Sequence, residues 1–132
     1  METPYVPLPA EVFDAPPPLD VYADGPTLAD LQARVEQLMD TTEWRENREY
    51  RLLNAVVADR RALLAPGETS AQQDAHTAAW LLREFDEDHR GGGWMGKHPP
   101  FAPEWEAAGG SRPYARQEYA AWLQTGQPGH LG

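Results

Sequence analysis

The chain has 132 residues, a net charge of −10 from 21 Asp and Glu against 11 Lys and Arg, and no cysteine. That length holds one domain with one core, and the missing thiols exclude disulfides and thiolate metal sites, leaving only His, Asp and Glu as metal ligands. The acidic balance disfavours direct nucleic-acid binding, which relies on clustered Lys and Arg, and favours a basic partner.

The excess lies at the front. Residues 1–40 hold eight acids against one Arg, residues 41–90 ten against seven, and residues 91–132 three against three. A single Lys, ten Arg and no Ile, with abundant Ala, Pro and Gly, match the usage of a GC-rich bacterial or phage genome.

Residues 1–26 carry seven prolines, which predict an extended, polyproline-like arm in place of a regular helix. Its start, "METPYVPLPAEVFD", lacks the basic and apolar regions of a secretory signal, and no apolar run nears the roughly 20 residues that span a bilayer. A cytoplasmic protein, or a virion component if the chain is phage-derived, is expected, with no membrane contact. Tyr5, Val6, Leu8 and Phe13 lie between the prolines and need cover. Either the arm wraps over its own domain or it docks on another subunit.

Residues 27–132 read as a single helical domain. A first helix follows Thr27 as N-cap, with Asp30 in its first turn and Leu28, Leu31, Val35, Leu38 and Met39 on one stripe. A second is expected from Thr41 or Thr42 to about Ala65, broken by Pro66 and Gly67. Ser70 with Gln73 predicts a capping box for a third helix that ends at Gly91. A shorter fourth helix follows Ser111 and places Ala115, Tyr119, Trp122 and Leu123 on one face. Residues 91–110 form a loop between glycine clusters, loaded with Trp94, Met95, Phe101 and Trp105, with a helical turn expected from Pro103 to Glu106. The fold class is therefore all-α: a small bundle of about four helices with a central helical hairpin.

Within the second helix, "EWRENREYR" (residues 43–51) repeats Glu-x-Arg three times. On a helical wheel Leu52, Leu53, Val56, Val57, Leu63 and Leu64 share the core arc, and Arg45 and Glu49 stand four apart, able to pair. Trp44, Arg48 and Arg51 fall on another face with Ala55, Ala58 and Ala62. In the third helix Trp80 projects opposite the apolar stripe, near His76, Glu84 and Glu87. Trp and Arg dominate binding hot spots, so Trp44, Arg45, Arg48, Arg51 and Trp80 join Tyr5, Val6, Leu8 and Phe13 as candidate partner-binding residues. The competing reading is a solvated helix start with aromatics buried under the arm or loop.

Chemistry-bearing motifs are sparse. Asp86 and His89 stand three apart at a helix end, with His98 in the loop, and form the best metal candidate; the second half of a di-iron pattern is missing. Ser70 and Ser111 both read as caps, and "GGGWMGKHPP" lacks the spacing of a phosphate-binding loop. Neither catalytic residues, nor a metal, nor a cofactor is expected. The expected function is a non-enzymatic interaction or assembly protein, a subunit or accessory of a phage particle or bacterial multiprotein machine, binding a protein partner or a second copy of itself. Two other classes stay open: an acidic inhibitor that mimics nucleic acid and blocks a basic cleft, and a metal-dependent enzyme at Asp86 and His89.

Overall fold

In the computed structural model, which describes residues 16–23, 25–89, 93–107 and 109–125, the chain enters the fold through a single helical turn, α1 (Pro18–Val21). Pro18 sits in the first turn, where its missing N–H removes no helical bond. The inner end of the expected extended arm is thus helical. It also docks on its own chain: Val21 is buried, and the Tyr22 ring packs 5.7 Å from that of Tyr119. Tyr5, Val6, Leu8 and Phe13 lie outside the described residues.

Helix α2 (Leu28–Met39) begins at the expected cap. Thr27 Oγ1 accepts the Asp30 N–H at 3.1 Å, and Asp30 Oδ2 accepts the Thr27 N–H at 3.3 Å, so two end donors are satisfied reciprocally. Leu31, Val35 and Leu38 are buried, whereas Met39 at the helix end is exposed.

The expected second helix starts later than its sequence suggests. Glu43 adopts a left-handed backbone at φ 57°, Trp44–Glu46 forms a 3-10 turn, and Asn47 is extended. Asn47 Oδ1 then accepts the Tyr50 N–H at 3.2 Å and caps α3 (Arg48–Leu64). The triplet therefore spans a break, and Arg45 and Glu49 do not form the helical pair expected of them. Glu49 instead takes Arg34 of α2, which donates to it through Nε at 3.0 Å and Nη2 at 3.2 Å.

Helix α3 turns through Ala65–Glu68 into α4 (Thr69–Asp88), the expected central hairpin. Buried alanines on both helices, Ala55 and Ala62 against Ala75, Ala78 and Ala79, permit close packing. Leu52, Leu53, Val56 and Val57 are buried as expected; Leu63 and Leu64 are exposed, since they lie in the last turn before the chain reverses. The Ser70 capping box is absent: α4 starts at Thr69, and Ser70 is an exposed residue of its first turn.

The aromatic loop packs inward through Trp105, which is fully buried, donates from Nε1 to the Pro99 carbonyl at 2.8 Å and meets Tyr114 edge-on at 5.3 Å. Its helical turn, α5 (Glu104–Ala107), follows Pro103. Helix α6 (Ser111–Gln124) starts after Gly110, whose φ of 90° suits a residue without Cβ, so Ser111 is the first helical residue and not the cap. One apolar face was expected of α6. It is buried nearly all round, with Tyr114, Gln117 and Glu118 inside as well as Ala115, Tyr119 and Trp122. Among the described residues there is no strand, and no helix is long and apolar enough to cross a membrane. The fold is an all-α bundle in which α3 contacts α2, α4 and α6.

Candidate functional site

Carboxylates on the apolar arcs of three helices organise the interior. Asp59 of α3, Asp86 of α4 and Glu118 of α6 are each 0% exposed. Buried charge persists only where partners replace water, and each of these groups has both oxygens occupied.

At one end of the bundle, Asp59 Oδ1 accepts from Arg112 Nε at 2.5 Å and Arg116 Nη2 at 2.8 Å. Its Oδ2 accepts from Tyr22 Oη at 2.6 Å and Arg116 Nε at 2.8 Å. Burial alone would raise the Asp59 pKa, but the hydrogen bonds from Arg116, Tyr22 and Arg112 and the Arg116 charge outweigh it and hold the group below the usual carboxylate range. The Tyr22 phenol is pushed well above its ordinary value by burial and by the neighbouring Asp59 charge.

At the other end, Arg48 of the triplet turns inward. It donates to Asp86 through Nε at 2.7 Å and Nη2 at 2.8 Å, and through Nη2 to Glu118 at 2.8 Å. Tyr114 Oη donates to Asp86 Oδ2 at 2.5 Å. Glu118 also accepts the backbone N–H groups of Met95 at 2.6 Å and Gly96 at 2.8 Å, which ties the aromatic loop to α6. Gln117 completes this clasp by exchanging two bonds with the His98 backbone, at 3.0 and 2.9 Å.

The residues expected to form one contact strip are therefore dispersed. Arg48 belongs to the interior, because two buried carboxylates compete for it. Trp44 packs edge-on against Tyr50 at 4.7 Å, and the exposed Arg45 lies over the Trp44 ring at 4.2 Å. Arg51 donates from Nε to the Arg45 carbonyl at 2.9 Å and so braces the 3-10 turn. The metal candidate is likewise divided. Asp86 is held by Arg48 and Tyr114, while His89 stacks on Phe85 at 4.2 Å and has Nδ1 2.7 Å from the Phe85 carbonyl. His98 is buried with its backbone bound to Gln117. Among the described residues no group of three His, Asp or Glu is arranged to hold a metal ion.

Trp80 stands where the wheel puts it, on the outer face of α4, and is 50% exposed. It borders a hollow of about 460 Å³ between α4 and the start of α6, with His76, Glu84, Glu87 and Glu106 around it. Arg83 stiffens the wall: it donates to the Pro100 carbonyl at 2.6 Å, the Ala102 carbonyl at 3.3 Å and Glu106 at 2.6 Å. A cleft of about 620 Å³ lies between α2, α3 and α6, lined by Leu31, Leu53 and Trp122, with the Arg34–Glu49 pair beside it.

The sequence reading missed Asp59, Glu118, Arg112 and Arg116 as organising residues. A signal was present: Asp59 lies seven residues after Leu52, Asp86 four after Leu82 and Glu118 four after Tyr114, all helical spacings from core positions. No protein-family model, no curated protein and no solved structure matches this chain.

Proposed function

We propose that this chain is a non-enzymatic interaction protein that helps to assemble a larger complex, with Trp80 as the anchor of its docking face. The observation that carries this reading is the half-exposed Trp80 ring in a hollow rimmed by Glu84, Glu87 and Glu106. Trp is the side chain most enriched among binding hot spots, and an aromatic ring beside Glu84, with Glu106 of the same rim held by Arg83, suits a Lys or Arg from a partner, through cation–π contact and ion pairing together. The wall is pre-shaped by Arg83, which lowers the ordering cost of docking. The proposed partner is a protein with basic side chains, or a second copy of this chain, and not nucleic acid. The arm residues Tyr5, Val6, Leu8 and Phe13 would supply a second contact. The proposed setting is the cytoplasm or a phage particle.

Intact-complex mass measurement of the full chain, alone and with its co-purified partner, tests this reading. Trp80→Ala is expected to weaken the complex by about tenfold or more, equivalent to about 1.4 kcal/mol, with unchanged circular dichroism. Undiminished association would remove Trp80 from the interface.

A further inference from the structure

The Asp59 centre carries more positive charge than it neutralises. Arg112 and Arg116 both bind this one carboxylate, and the third donor, the Tyr22 hydroxyl, adds no charge. Two guanidiniums against one carboxylate leave one positive charge over, in a chain whose net charge is −10. Arg112 uses Nε for Asp59 and Nη1 for Gln72, and Arg116 uses Nε and Nη2 for Asp59. None of their hydrogen bonds among the described residues involves Arg112 Nη2 or Arg116 Nη1.

Both side chains line an open surface hollow of about 420 Å³ between the end of α3, the first turns of α4 and the start of α6. Its volume falls in the range of small-ligand sites. Pro18, Leu63, Pro66 and Pro113 give it apolar walls; Gln72 and His76 are polar on the α4 side. A guanidinium pair only half neutralised by its one carboxylate, at the wall of an apolar hollow, fits an anion that carries an apolar body.

We propose that this hollow binds an organic carboxylate with a short apolar body. Its oxygens would take the unused nitrogens of Arg112 and Arg116, and its body would pack against Leu63, Pro66 and Pro113. A monoanion matches the single surplus charge. A phosphate dianion would exceed that charge and leave the apolar walls unused, and no Lys lines the hollow to offset it. The carboxylate could come from a free acid or from the last residue of a polypeptide.

The test titrates the full chain with N-acetyl-leucine, its neutral amide N-acetyl-leucinamide, a pentapeptide ending in leucine, and inorganic phosphate. The side-chain Nε–H resonances of Arg112 and Arg116 report binding. Saturable shifts with N-acetyl-leucine, about tenfold tighter than with the amide, are expected. Leu63→Glu places a rival carboxylate at the hollow from a position already exposed, so folding is retained, and it is expected to weaken binding by about tenfold. Tighter binding of the pentapeptide would identify a chain terminus as the ligand, and equal or weaker binding a free acid; either keeps the site. Equal affinity for acid and amide, tighter binding of phosphate, or undiminished binding by the Leu63→Glu chain would overturn the proposal.

Discussion

Arg48 and Glu118, 70 positions apart in the chain, meet at 2.8 Å in the interior, and the same Arg48 nitrogen lies 2.8 Å from Asp86. One guanidinium thus bridges α3, α4 and α6, and it is the only Arg among those of the triplet that points inward.

Arg48→Ala is expected to cost about 3–5 kcal/mol, because it strands Asp86 and Glu118 in the interior without their counter-charge. Urea unfolding monitored by circular dichroism measures it. Arg45→Ala, at an exposed position, is expected to shift the midpoint far less. Equal effects of the two substitutions would contradict the inward role of Arg48.

Asp59 links the fold to acidity. Its folded pKa is depressed below the ordinary carboxylate value of 3.8, so the stability it contributes is present above that value and is lost as pH falls through the lower, folded pKa. Unfolding free energy is therefore expected to decline below about pH 4, where the unfolded chain binds the proton first. Asp59→Asn should flatten that decline in acid titrations followed by tryptophan fluorescence, and a decline as steep as that of the unaltered chain would assign it elsewhere.

Gly96→Ala probes the loop clasp. A Cβ at this position would collide with Gln117 and Glu118, whose side chains are buried and hydrogen-bonded and so cannot swing away cheaply. The loop is expected to detach before the helices unfold. Hydrogen exchange at the Met95, Gly96 and His98 amides should then accelerate by orders of magnitude relative to amides within α3. Uniform acceleration across the chain would show that the clasp and bundle open together.

The two tryptophans of α4 and α5 should behave oppositely. Trp105→Ala removes a fully buried ring and is expected to cost about 3–5 kcal/mol. Trp80→Ala is expected to cost a small fraction of that in the isolated chain, since half of its surface is already in water. Thermal melts of the two variants side by side decide it; comparable losses would place Trp80 in the core.

The helices were legible because their punctuation is local. Thr27 and Asp30 cap one another across a single turn, and Pro66 with Gly67 interrupts any helix. The break at Asn47 was hidden, because Asn is tolerated inside helices as well as at caps, and the charges around it continue a plausible helical pattern. Trp80 was visible as a large aromatic opposite an apolar stripe. The ion clusters were only half visible: the spacing places Asp59 and Asp86 on core arcs, but the guanidiniums that match them lie 53 and 57 positions away for Asp59 and 38 for Asp86. No periodicity within one helix encodes such a pairing.

Among the described residues every buried carboxylate draws on α6. Asp59 takes Arg112 and Arg116, Asp86 takes Tyr114, and Glu118 resides on that helix. Translation delivers α6 after the α3–α4 hairpin, at roughly 5–20 residues per second. While the ribosome still holds α6, Arg48 can already meet Asp86, but Asp59 has no guanidinium partner and faces water through an open seam. Closure of the seam therefore waits until α6 has left the ribosome, and a nascent chain stalled before Ser111 would present a hairpin whose Asp59 remains hydrated and whose apolar flank is open to chaperones.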